Sequence, residues 1–162
     1  MRADIRSVDQ LFQTPATLRA PLFQRRYVWE EEAHLNPFWA DIRRRARLQL
    51  ADASDAAPHF LGAILLQWGP EADELRIIDG QQRLVTLTLT LAAIRRAAEA
   101  KGLDDVVASM ERRLWRDRPG GRRRVEATEA DAAHLAAIVR DGAPAALRAI
   151  WPDRFADDRA RL

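Results

Sequence analysis

The chain has 162 residues, 48% of them hydrophobic, and a formal net charge of +2, which suits one domain with a real core and no strong global field. It contains no cysteine, which excludes a disulfide framework, a thiolate metal site and thiol catalysis. The apolar run Leu84–Ile94 is cut by threonines and falls short of a membrane span, and the N-terminal MRADIRSVDQLF lacks the apolar stretch of a secretory signal, so a cytoplasmic protein without membrane contact is expected.

Charge distribution is more informative than its sum. Of the 26 basic residues only Lys101 is lysine. Arginine is the better fork for phosphate, although an Ala/Arg-rich composition is equally what a GC-rich genome produces.

In chain order, residues 4–13 predict a short helix with Ser7 as N-cap and Val8, Leu11 and Phe12 facing inward. Leu18–Phe23 reads as an extended strand interrupted by Pro21. The segment Gln24-Arg25-Arg26-Tyr27-Val28-Trp29 is dense in arginine and aromatics, and the acids Glu30, Glu31 and Glu32 suit the first turn of a helix running to about Leu50. Pro37 marks a kink or restart near Asn36. That helix would turn Phe38, Ile42 and Leu48 inward and leave Arg43, Arg44, Arg45 and Arg47 mostly solvated. Residues 51–58 are small and polar, hence a loop. His59–Trp68 reads as a buried strand, 69–73 as a turn and Leu75–Ile78 as its partner strand.

The stretch 75–100 organises the chain. An apolar run enters the turn Asp79-Gly80, leaves through Gln81-Gln82-Arg83, and continues into a long apolar segment. Leu87–Leu91 alternates with period two, as a strand would. The set Leu84, Leu87, Leu91 and Ile94 fits helical spacing instead, 92–100 is rich in helix formers, and Gly102 is placed to cap, so a helix over about 81–101 is expected. Beyond it, helices are expected at 103–115, about 129–140 and 145–150. Seven arginines against the single acid Asp117 crowd residues 112–124.

A strand, a tight polar turn and a helix leave backbone N–H groups and the helix dipole free to attract phosphate. At residues 79–83, Arg83 would bind phosphate, Gln81 or Gln82 would orient water or substrate, and Asp79 would hold the turn or act as base or metal ligand. The plain alternative is a common Asp-Gly turn beside a surface arginine. Residues 24–29 could stack on bases and contact phosphate, or could anchor a helix through Tyr27 and Trp29. The arginines at 43–47 and 112–124 could follow a nucleic-acid backbone. His34, His59 and His134 lack ligand spacing, so no protein metal site is expected, and there is no Walker-type loop, nucleophile elbow or His-Asn-His nuclease cluster.

Gln24-Arg25-x-Tyr27-x-Trp29, then His59-Phe60-Leu61-Gly62-Ala63-Ile64, then Ile78-Asp79-Gly80-Gln81-Gln82-Arg83-Leu84-x-Thr86-Leu87 resembles the N-terminal domain of GmrSD-type modification-dependent restriction enzymes, over roughly residues 7–139. Ala20-Pro21 keeps the family's proline without its isoleucine, and Val85 stands where threonine is common. The resemblance implies a relative of the ParB and sulfiredoxin fold with a Gly-x-x-Arg phosphate turn. It implies nucleoside triphosphate or DNA binding, and in some members nucleotide hydrolysis that licenses DNA cleavage in bacterial anti-phage defence. On this reading Asp79, Gln82 and Arg83 are catalytic. Gln24, Arg25, Gly80, Gln81, Arg83 and Thr86 bind nucleotide or phosphate, Tyr27 and Trp29 brace the pocket, and Mg2+ accompanies the nucleotide. Relatives often continue into a helical region and a His-Asn-His nuclease domain, so this chain is expected to be a fragment, a stand-alone subunit or a degenerate copy, with the nuclease as a further domain or partner.

The expected fold is α+β: a small mixed sheet with strands near 18–23, 59–67 and 75–78, flanked by helices, with the central turn at the sheet edge beside Gln24-Arg25. A core over 1–102 and a helical extension over 103–162 are expected. The favoured function is nucleotide binding, with or without hydrolysis, in a DNA restriction system. The alternatives are a non-catalytic DNA-binding module and a scaffold or antitoxin-like partner.

Overall fold

The computed structural model describes residues 3–51 and 59–141. Among these the order is α1 (Val8–Phe12), β1 (Thr17–Arg19), a π-helical turn (Glu31–Leu35), α2 (Asn36–Leu50), β2 (Leu65–Trp68), β3 (Glu74–Asp79), α3 (Gln81–Glu99), α4 (Asp104–Leu114), β4 (Val125–Glu126) and α5 (Glu129–Asp141). Nearly all of the loop expected at 51–58, and the helix expected at 145–150, lie outside the described residues.

The fold is α+β, as expected, with a four-stranded mixed sheet in the order β2-β3-β1-β4. β1 pairs in parallel with both β3 and β4, and β2 with β3 antiparallel. Ser7 closes a capping box with Gln10 at the start of α1, which drops Phe12 fully into the core. Glu30 begins a π-helical turn, and Pro37 restarts the chain as α2 in its first turn, where a missing N–H is harmless.

Several expectations about the sheet need correction, the first being that the strand expected at 18–23 ends at Arg19, two residues before Pro21. The apolar run 59–68 is not a buried strand: only Leu65–Trp68 is extended, it sits at the sheet edge, and Leu65 and Trp68 are exposed. Its apolar composition reflects an edge, not a centre. The fourth strand, β4, comes from the arginine-rich stretch after residue 102, so the sheet is completed by the segment expected to be a helical extension. The central turn leaves β3, an interior strand, at its C-terminal end rather than at an outer edge of the sheet.

α3 is the hub. It packs on α4 and α5 and reaches β4. Leu84, Val85, Leu87, Leu91 and Ala92 are buried beside Leu18, Ile77, Val125 and Val139. Complete burial of a leucine or isoleucine side chain contributes about 1.5–3 kcal/mol. Thr86 and Thr88 are buried too, and their hydroxyls donate to the carbonyls of Gln82 and Leu84, both at 2.8 Å. A helix covered on several sides can therefore carry an alternating Leu-Thr pattern, its polar atoms satisfied internally. Gly102, at φ +65°, ends it, with the Gly102 N–H on the Glu99 carbonyl and the Leu103 N–H on that of Ala98.

α2 differs from the other long helices: no residue in it is buried. Phe38 and Ile42 of its expected inner face are half-buried and Leu48 is exposed, with Phe38 edge-on to Trp29 at 6.4 Å.

Candidate functional site

β3 delivers Asp79 to its C-terminal end, and Gly80 turns the chain into α3 with φ +92°. Only glycine fits: a Cβ there would stand 3.2 Å from Ile64 Cα and 3.3 Å from the Ala63 oxygen. The first intrahelical bond runs from the Leu84 N–H to the Gly80 carbonyl at 3.0 Å, and no side chain caps the helix. The N–H groups of residues 81–83 thus have no partner within the helix, although Gly80, Gln81 and Gln82 are all buried.

The 24–28 segment lies across this helix start, fastened by polar bonds at almost every residue. Gln24 Nε2 donates to the Ile78 carbonyl at 2.8 Å. Gln81 Nε2 donates to the Arg25 carbonyl at 3.0 Å and Gln82 Nε2 to that of Arg26 at 3.1 Å. Gln82 Oε1 accepts the Val28 N–H at 2.9 Å. The Tyr27 hydroxyl is 2.8 Å from Thr86 Oγ1, and burial pushes its pKa up against the smaller opposing effect of that bond.

The two sequence motifs are therefore joined in space, and the amides that join them are engaged. Gln24, Gln82 and Thr86 hold backbone or each other's neighbours. Gln81 is 3% exposed, and its Oε1 is buried without a hydrogen-bond partner. Arg25, Arg26 and Asp79 are exposed around the turn. Arg83 is half-buried, with Nη1 donating to the Ala63 carbonyl. Trp29 is set apart, stacked on His34 with ring centroids 5.6 Å apart.

One contributor was not visible in the sequence. Asp131, in the first turn of α5, accepts the Tyr27 N–H at 2.7 Å and faces Thr128 Oγ1 at 3.2 Å. The start of α5 and the 24–28 segment thereby enclose an open cleft of about 330 Å³ lined by Leu22, Gln24, Arg26, Thr128, Glu129 and Ala130.

The arginines of 112–124 serve largely internal needs. Arg116 and Arg122 both reach Asp73, at 2.7 and 3.0 Å, Arg113 reaches Asp9 at 2.5 Å, and buried Arg124 donates to the Thr14 and Trp115 carbonyls. Arg43, Arg44 and Arg47 on α2 are exposed. Among the described residues no three His, Asp or Glu side chains group as a metal site, and no helix is long and apolar enough to cross a membrane.

A comparison with curated proteins finds no match to the chain. The description of the GmrSD restriction endonuclease N-terminal domain matches residues 8–159, a span that takes in both motifs, the sheet and all five helices described above. The chain thus belongs to the GmrSD restriction endonuclease N-terminal domain family and is a component of the restriction-system kind.

Proposed function

We propose that the start of α3 binds the phosphates of a nucleoside triphosphate, and that the domain acts as the nucleotide-responsive part of an anti-phage restriction system whose DNA cutting lies in a nuclease domain or subunit. The observation that carries this reading is the helix N-terminus at Gly80-Gln81-Gln82, three buried residues with no side-chain cap. Burying such N–H groups is costly unless an acceptor meets them, and phosphate is the acceptor that both the amides and the helix dipole favour.

In this reading Arg83 and Arg25 neutralise phosphate charge, and the backbone N–H groups of residues 81–83 cradle one phosphate. Gln24, Gln81 and Gln82 hold the 24–28 segment in place, as Tyr27 does through Thr86. Mg2+ fits this arrangement as a phosphate-borne ion: it usually keeps several waters and takes one or two carboxylates, and exposed Asp79 supplies one. When bound, the ion supplies charge neutralisation at the phosphates. In the alternative role, not ligating an ion, Asp79 is the group at the turn available to accept a proton from an attacking water, if the domain hydrolyses what it binds.

Nucleotide binding and phosphate release with Mg2+ test the reading, comparing the parent chain with Arg83→Ala and Asp79→Asn. Loss of binding in folded Arg83→Ala supports it, and loss of release with retained binding in Asp79→Asn extends it to hydrolysis. A parent chain that binds no nucleotide overturns it.

A second reading is favoured by one observation: α2 has no buried residue and displays Arg43, Arg44 and Arg47. This suits a non-catalytic DNA-binding module, whose affinity would fall steeply with salt and ignore nucleotide.

A further inference from the structure

The segment Leu61-Gly62-Ala63-Ile64 forms a third wall at the helix start. Ile64 and the Ala63 carbonyl close on Gly80, while the Ala63 carbonyl also takes a bond from Arg83. Gly62 adopts φ +100°, and a Cβ built on it would lie 2.9 Å from Arg83 Nε and 3.0 Å from its Cζ. The guanidinium therefore occupies the volume that any other side chain at position 62 would fill.

We propose that Gly62 is a positioning residue for phosphate binding: its bare Cα lets the Arg83 guanidinium lie flat against the 61–64 segment. The Ala63 carbonyl engages Nη1 there, which leaves the other nitrogens of the guanidinium to meet a phosphate. This rests on the phosphate reading given above. An arginine is a more effective phosphate fork when its plane is fixed, because a wandering guanidinium loses side-chain entropy on every binding event. Here the plane is fixed by a glycine on one side and a carbonyl at one corner. A methyl group at position 62 would meet the far end of a flexible side chain rather than backbone, so the guanidinium would move, while the φ of +100° adds backbone strain that shows in stability.

The test is binding of inorganic tripolyphosphate with Mg2+, measured by calorimetry on the parent chain, Gly62→Ala, Arg83→Ala and the double variant. Thermal unfolding in parallel keeps affinity separate from stability. Gly62→Asn serves as a second variant, since asparagine carries the same Cβ and tolerates positive φ better than alanine. Loss of one charge-assisted contact weakens binding by about ten- to a hundredfold. The expected pattern is a loss of that size in Arg83→Ala, a comparable loss in the folded Gly62 variants, and no further loss on adding Gly62→Ala to Arg83→Ala.

Parent-like affinity in the Gly62 variants, or an equal loss from Gly62→Ala in both backgrounds, overturns the positioning role and leaves the phosphate reading standing. Absence of tripolyphosphate binding by the parent, or no effect of Arg83→Ala, overturns both.

Discussion

Gln82 and Val28, 54 residues apart in sequence, are joined as a strand residue would join its neighbour: Gln82 Oε1 accepts the Val28 N–H at 2.9 Å while its Nε2 donates to the Arg26 carbonyl at 3.1 Å. One side chain thereby satisfies the backbone on both sides of Tyr27. Gln82→Ala should leave a donor and an acceptor unpaired against a buried helix start, at a cost of about 2–3 kcal/mol. Urea unfolding measures it, and a loss below about 0.5 kcal/mol would show that water replaces both bonds.

Tyr27 is the only tyrosine in the chain, so the change in ultraviolet absorbance on phenol ionisation belongs to it alone. Burial favours the neutral phenol, so Tyr27 should titrate above the ordinary value of 10.0 in the folded protein and at about that value after unfolding. With the folded pKa the higher, the associated stability is complete below about pH 10 and is lost as pH rises through the folded value. Tyr27→Phe should abolish the titration and cost about 0.5–1.5 kcal/mol. The low end is expected, because Thr86 Oγ1 retains its bond to the Gln82 carbonyl.

Arg95 is 6% exposed and forms a 2.6 Å ion pair with Glu111, while its Nη2 donates to the Arg140 carbonyl at 2.9 Å. One guanidinium so ties α3 to α4 and to the end of α5. Arg95→Ala would strand the Glu111 carboxylate and should cost about 3–5 kcal/mol. The paired change Arg95→Met with Glu111→Leu should recover much of that loss in thermal unfolding. If the pair is as unstable as the single variant, desolvation of Glu111 is not the cause.

The Arg116 hydrogen bond, assisted by Arg122, holds the Asp73 carboxyl below the ordinary carboxylate range. Its contribution to stability is therefore present above the free-carboxylate value and lost as pH falls through the lower, folded one. Carbon-detected NMR titration of Asp73 should show a midpoint below that of a free aspartate in the parent and a return toward it in Arg116→Ala. An unchanged midpoint would mean that the network is not populated in solution.

Much of the architecture was legible in the residues because local signals and tertiary demand agree. The Ser7 capping box, Pro37 at the start of α2, the Asp-Gly turn and the Gly102 stop each encode one boundary chemically. The Leu-Thr alternation in α3 was ambiguous because a helix packed on several sides loses its polar face, and only the helical spacing of its leucines decided the matter. β2 misled because an edge strand exposing Leu65 and Trp68 has the composition of a buried one. β4 left no signal: two residues following an arginine run are too few for a period to appear. At the site, adjacent glutamines looked like groups meant for a ligand, yet both are buried and their Nε2 atoms are bonded to the 24–28 backbone. Asp131 could not be singled out, since its partner is a backbone N–H 104 residues away.

The position of β4 has a consequence for how this chain comes into being. A ribosome that has delivered residues 1–102 has released β1, β2 and β3, yet the N–H groups of Leu18 and Ala20 still await the carbonyls of Arg124 and Glu126, 2.8 and 2.9 Å away in the finished fold. Until those residues emerge, β1 presents a naked parallel edge to whatever is nearby. Parallel closure across so long a stretch of chain is slow. The nascent protein therefore passes through an interval in which the place reserved for β4 stands open.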